Sequence, residues 1–71
     1  MSTKMIPLTV DGTLFELTVQ DYGTHWKVRV YQNGKVIGVS DQPIRVGIDT
    51  RMQAYIVKRI LRGQHDKEAR I

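Results

Sequence analysis

Two dipeptides, Asp11-Gly12 and Asn33-Gly34, constrain this 71-residue chain more than any other feature of its sequence. Each is flanked by alternating apolar residues, which is the strongest short-range pattern for a two-residue β-hairpin. Asp, Asn and Gly are suited to such turns because they tolerate the positive φ angles that a type I′ turn requires. The pairs that the two turns imply are Val10 with Thr13, Leu8 with Phe15, Ile6 with Leu17, Gln32 with Lys35, Val30 with Ile37 and Val28 with Val39.

A third pairing follows from the segment between the hairpins. Residues 21–24 form a plausible four-residue loop that pairs Leu17 with Val28. The three turns then agree on one face, and a one-residue slip at any of them would move a whole strand's side chains to the other face. The predicted core face comprises Ile6, Leu8, Phe15, Leu17, Val19, Trp26, Val28, Val30, Ile37 and Val39. We therefore predict an antiparallel four-stranded meander over residues 4–10, 13–20, 25–32 and 35–40, with Pro7 on an edge strand.

One helix is predicted after the meander. Residues 43–48 form either a short fifth strand or an extended crossover. The helix runs from Thr50 to about Arg62, with Thr50 and Gln53 as a capping box or Asp49 as the rival N-cap, and Gly63 ends it as the C′ residue. Its apolar side, which should pack on the sheet, comprises Met52, Ala54, Ile56, Val57, Ile60 and Leu61. The predicted fold class is α+β, with a single domain over residues 1–63 and a polar C-terminal tail over residues 64–71.

Composition narrows the class of protein. Hydrophobic residues make up 41% and charged residues 25% of the chain, which is typical of a small globular domain. There are no cysteines, so a disulfide scaffold and a Cys-ligated metal site are excluded. No apolar run approaches the roughly 20 residues of a membrane helix, and residues 1–4 lack a signal-peptide pattern, so we expect a cytoplasmic protein without membrane contact.

Catalytic chemistry finds little support in the sequence. The two histidines, His25 and His65, lie in no recognisable motif and are interpreted as solvated surface residues. The acidic residues mostly occupy turns, a helix cap or the tail, where local backbone chemistry explains them. We therefore predict a binding module and not an enzyme, with no cofactor and no metal site.

Basic residues point to the kind of partner. Residues 25–71 carry ten bases against four acids, whereas residues 1–24 carry one base against three acids. In the predicted register, Arg29 lies between Glu16 and Gly38 on the outward face of the sheet. Bases interleaved with aromatic rings can contact phosphates and stack on nucleic-acid bases. The leading hypothesis is therefore nucleic-acid binding, to DNA in particular, through Lys27, Arg29, Tyr31 and Lys35.

Three alternatives remain open. Arg51, Lys58 and Arg62 form a second basic surface along one side of the predicted helix. The chain could also be a protein-binding adaptor or inhibitor of the kind that phages and mobile elements use, with an acidic protein surface as a partner. It would act through a row formed by Leu14, Tyr31 and Val36 or through the open edge of the fourth strand. That edge could also pair with a second copy to form a homodimer.

Overall fold

The computed structural model describes residues 4–69, with side chains described for residues 4–63. Four antiparallel strands form one open sheet in the order β1-β2-β3-β4, and one helix packs against one of its faces. The elements are β1 Met5–Val10, β2 Thr13–Asp21, β3 His25–Gln32, β4 Lys35–Pro43 and α1 Thr50–Ala69. The predicted α+β meander with a C-terminal helix is confirmed.

Both two-residue hairpin turns have the predicted geometry. Asp11 and Gly12 have φ angles of 50° and 81°, and Asn33 and Gly34 have φ angles of 52° and 79°. Two successive residues at positive φ are the signature of a type I′ turn, whose twist matches that of the flanking strands. The predicted register between β1 and β2 is confirmed, and β1 is an edge strand that contains Pro7.

The register between β2 and β3 differs from the predicted one by two residues. Leu17 pairs with Val30 and not with Val28. The turn is tighter than a four-residue loop, because the Tyr22 N–H donates to the His25 carbonyl at 3.0 Å. The Gly23 N–H also donates to Asp21 Oδ1 at 2.7 Å. A two-residue shift preserves the alternation of faces, so the predicted core positions on both strands survive it.

A β-bulge changes the pairing of β3 with β4. Gln32 pairs with Lys35 as predicted, but Val28 pairs with Ser40 and not with Val39. Beyond the bulge, residues 38–40 therefore lie on the faces opposite to the predicted ones. The prediction that Val39 is a core residue is therefore wrong. Val39 lies on the face away from α1 with 48% of its surface exposed.

The bulge brings Gly38 beneath the helix. Gly38 pairs with Val30, a fully buried residue, so it lies on the core face and not on the outward face that the sequence predicted. A Cβ atom built on Gly38 would lie 2.5 Å from Ile60 Cγ2, which means that Ile60 occupies the space of the missing side chain. Packing of α1 against β4 is therefore compatible with glycine at this position and with little else.

The segment between β4 and α1 is a crossover and not a fifth strand. β4 extends through Pro43, beyond its predicted end at residue 40, and residues 44–49 contain turns and irregular backbone. The Trp26 indole holds this crossover, because its Nε1–H lies 3.1 Å from the Ile44 carbonyl oxygen and 2.8 Å from that of Val46. Trp26 itself packs against the core.

Replacing Trp26 with phenylalanine should isolate the role of that indole N–H. The substitution keeps an aromatic ring but removes the donor to the crossover carbonyls, so we expect a loss of roughly 0.5–1.5 kcal/mol in the free energy of unfolding. Urea denaturation followed by circular dichroism measures it. Tyr31→Phe, on the outward face, is the control and should change stability by no more than about 0.5 kcal/mol. Equal midpoints for the two variants would mean that the indole does not hold the crossover.

Asp49, and not Thr50, caps the helix. Its Oδ1 accepts a hydrogen bond from the Met52 N–H at 2.9 Å, which satisfies one of the unpaired donors of the first turn. The Gln53 side chain donates to the Ile48 carbonyl at 3.2 Å, so it does not complete a capping box with Thr50. The rival N-cap interpretation is confirmed.

The helix does not end at Gly63. It continues to Ala69, and Gly63 does not have the positive φ of a C′ residue, so the predicted end near Arg62 is wrong. Glycine inside a helix costs only about 1 kcal/mol relative to alanine, which is too little to end a helix by itself. Backbone helix therefore extends into the predicted tail, residues 64–71, whose side chains lie outside the described residues.

The core lies between the sheet and the apolar side of α1. Its buried apolar residues are Val10, Phe15, Leu17, Val28, Val30, Ile56 and Val57. The predicted apolar side of the helix is confirmed, because its other members, Met52, Ala54, Ile60 and Leu61, pack against this cluster. The helix thereby covers one face of the sheet, and no element among residues 4–63 packs on the opposite face, which we call the outer face.

Candidate functional site

Lys27, Arg29 and Tyr31 lie on the outer face, as their spacing along β3 predicts. Lys27, however, already has partners within the fold. Its Nζ lies 3.7 Å from Asp41 Oδ1 and 5.8 Å from the centre of the Tyr22 ring. The same carboxylate lies 3.9 Å from His25 Nε2. The sequence pattern ends the fourth strand at residue 40, so it does not predict the contact of Asp41 with Lys27.

Arg29 is also engaged by its neighbours. Its guanidinium donates to Gln20 Oε1, and it lies between Thr18 and Val39, not between Glu16 and Gly38 as predicted. Thr18 is only 7% exposed, although no described element packs on this face, so neighbouring side chains cover it. The Thr18 hydroxyl has no hydrogen-bond partner in the described part of the chain. The Arg29 side chain is therefore held along the sheet surface.

The other two residues of the predicted nucleic-acid site, Tyr31 and Lys35, lie on opposite faces of the sheet. Lys35 pairs with Gln32, and strand alternation from the buried Val30 places both on the helix side of the sheet. Tyr31 does share a row with Val36, but Leu14 pairs with Thr9 and stands outside that row. The four predicted basic-site residues are therefore not on a single face.

Formal charges on the outer face cancel. Its bases are Lys27 and Arg29, and its acids are Glu16 and Asp41. Four large apolar side chains are 44–58% exposed on this face, namely Met5, Leu14, Val36 and Val39. The outer face is therefore neutral and partly apolar.

The outward side of α1 has the opposite character. Residues 50–63 include four exposed bases and no acid: Arg51, Lys58, Arg59 and Arg62. Positions 51, 58 and 62 fall within one narrow sector of the helix, and they span about 16 Å along its axis. We call these four side chains the helix basic face. It contains the whole of the predicted alternative surface.

Tyr55 lies beside the bases of the helix basic face. Half of its surface is exposed, and the Arg59 guanidinium carbon lies 5.7 Å from the centre of its ring. Arg59 also donates from a guanidinium nitrogen to the Tyr55 hydroxyl at 3.2 Å. A cation beside a ring at this distance is attracted to its π-face. The pair presents an aromatic surface in a positively charged environment.

Two kinds of site are absent from the described residues. No group of three or more His, Cys, Asp or Glu side chains in this part of the chain could hold a metal ion. No helix described here has the length and apolar character needed to cross a membrane.

Comparisons with protein-family models, with curated proteins and with solved structures found no match. Function is therefore inferred from the two surfaces themselves.

Proposed function

We propose that this chain is a small, non-catalytic nucleic-acid-binding domain that contacts its ligand through the helix basic face. The observation that carries the proposal is the contrast between the two surfaces of the fold. Arg51, Lys58, Arg59 and Arg62 are exposed with no acid between residues 50 and 63, whereas charges cancel on the outer face. Phosphate neutralisation by such side chains supplies most of non-specific nucleic-acid affinity.

The basic residues of the outer face already contact neighbouring side chains, which supports the helix as the binding surface. A phosphate that approached Lys27 would also approach the carboxylate of Asp41, 3.7 Å from the ammonium group. Arg29 would have to leave Gln20 before its guanidinium could reach a ligand. Lys58 and Arg62, by contrast, are exposed, and they lie one helical turn apart.

A matched pair of double variants tests this proposal. Replacing Lys58 and Arg62 with glutamine removes two charges from the helix, and replacing Lys27 and Arg29 with glutamine removes two from the outer face. Fluorescence anisotropy with labelled duplex DNA at several salt concentrations gives the slope of log K against log salt. We expect the helix variant to reduce that slope by about 1.8, because each phosphate contact contributes about 0.9 on B-DNA, and the outer-face variant to change it little.

Wild-type affinity for non-specific DNA should lie roughly between 10⁻⁴ and 10⁻⁶ M at physiological salt. Circular dichroism of both double variants confirms that each remains folded. A larger change of slope in the outer-face variant would move the binding surface to the sheet. Flat titrations with duplex DNA, single-stranded DNA and RNA at low salt would reject the proposal.

Protein binding through the outer face is a second candidate, favoured by its exposed apolar side chains. Met5, Val36 and Val39 are 44–50% exposed on a surface with no net formal charge, which suits a protein partner better than a phosphate backbone. β4 is also an edge strand, so a second copy of the chain could bind by pairing with that edge. Flat nucleic-acid titrations combined with self-association in a sedimentation experiment would favour this candidate.

A further inference from the structure

An open groove of about 690 Å³ lies where β4, the crossover and α1 meet. Gln42 contributes from the end of β4, and the crossover contributes Gly47. The first turns of the helix contribute Arg51, Met52 and Tyr55. The volume falls within the range of ligand pockets, about 300–1,000 Å³. No local sequence pattern indicates this groove, because the elements that form it are brought together by the crossover.

The groove is continuous with the helix basic face. Arg51 belongs to both, Tyr55 lines the groove beside it, and Lys58 and Arg62 extend the positive surface along the helix. A nucleic-acid chain held along the helix would therefore pass the opening of the groove. Tyr55 offers it an aromatic ring there, half exposed and with the Arg59 guanidinium 5.7 Å from its centre.

The lining of the groove suits the base of a nucleotide better than its phosphate. Asp49 and Arg51 both line the groove, so their formal charges cancel, and the Asp49 carboxylate, which accepts the Met52 N–H, disfavours a phosphate beside it. Met52 adds an apolar surface, and Tyr55 adds a flat ring. A neutral, planar base fits this lining, whereas its phosphates would lie outside the groove, near Lys58 and Arg62.

We propose that the groove receives an unpaired base that stacks on Tyr55, so that the preferred ligand is a single-stranded nucleic acid. This inference rests on the proposed function of the helix basic face. A base within a duplex is stacked between its neighbours and paired, so it cannot present its π-face to a protein ring without leaving the helix. Single strands offer their bases freely, and proteins that bind them combine a basic path with aromatic stacking.

The test compares Tyr55→Ala with Tyr55→Phe and with a matched aromatic control. Tyr22→Ala serves as the control, because Tyr22 is also about half exposed but stacks on His25 at the end of the sheet. Each protein is titrated by fluorescence anisotropy with labelled oligothymidine and with a DNA duplex. Tyr55→Ala should weaken oligothymidine binding roughly 5- to 150-fold and weaken duplex binding by a clearly smaller factor, because a paired base does not reach the ring. Tyr55→Phe keeps the ring and should retain most of the affinity, and Tyr22→Ala should bind like the wild type.

The outcomes separate this inference from the proposed function. Equal losses on oligothymidine and duplex, or no loss on either, would overturn base stacking in the groove. If the Lys58 and Arg62 double variant still lowered the salt slope in that case, nucleic-acid binding by the helix basic face would stand. No binding of either probe by the wild type would overturn both.

Discussion

Replacing Phe15 with alanine should unfold most of the protein at room temperature. Phe15 is 2% exposed in the centre of the core, and removal of a buried aromatic side chain typically costs about 3–5 kcal/mol. A core in a domain of fewer than about 80 residues rarely supplies more than roughly 3–5 kcal/mol in total. The expected result is therefore loss of most of the folded population, measured by circular dichroism and urea denaturation.

The neighbouring residue provides the control for Phe15. Leu14 is equally apolar but lies on the outer face with 58% of its surface exposed. Leu14→Ala should therefore change the free energy of unfolding by no more than about 0.5 kcal/mol. A larger loss from Leu14→Ala than from Phe15→Ala would contradict the register of β2, because it would place the wrong face of the strand against the helix.

Replacing Gly38 with valine should destabilise the fold by roughly 1–3 kcal/mol, the usual range for overpacking a filled core. Its Cβ would meet Ile60 Cγ2 at 2.5 Å and Cγ1 at 2.9 Å. Both carbons are bonded directly to the Ile60 Cβ, so they cannot move aside without displacing the side chain or α1. The measurement is the urea midpoint of the folded protein.

Two further variants make the Gly38 result specific. Gly47→Val introduces the same side chain where a Cβ meets nothing within 4 Å, and it should leave stability within about 0.5 kcal/mol. Ile60→Ala combined with Gly38→Val should destabilise less than the sum of the two single changes, because it removes the atoms that clash. Equal stabilities for Gly38→Val and Gly47→Val would show that α1 does not pack closely over the bulge.

Much of the sheet could be predicted because its signals are local. Asp11-Gly12 and Asn33-Gly34 each contain the residue types that tolerate two positive φ angles, so the turns needed no distant contact. The β2–β3 turn differs from the predicted four-residue loop, because the Tyr22 N–H donates to the His25 carbonyl and the Gly23 N–H donates to Asp21 Oδ1. The resulting error was two residues, and strand alternation preserved the core.

Prediction of the candidate site was less complete because a side chain's availability depends on its neighbours. The presence of a basic helix side was readable from the spacing of Arg51, Lys58 and Arg62. The contact between Lys27 and Asp41 could not be predicted, because it requires β4 to continue past residue 40. The groove beside Tyr55 also required the crossover to return from Pro43 to the start of the helix.

By itself, the sequence determined the two type I′ hairpins, the buried faces of β1, β2 and β3 and the apolar side of the helix. These features follow from turn dihedral angles and from the periods of strand and helix, which involve only nearby residues. Tertiary structure alone decided the bulge in β4 and the partners of Lys27 and Arg29. It also decided that Gly38, and not Val39, lies on the core face. Each of these depends on contact between elements distant along the chain, above all on Ile60 filling the space over Gly38.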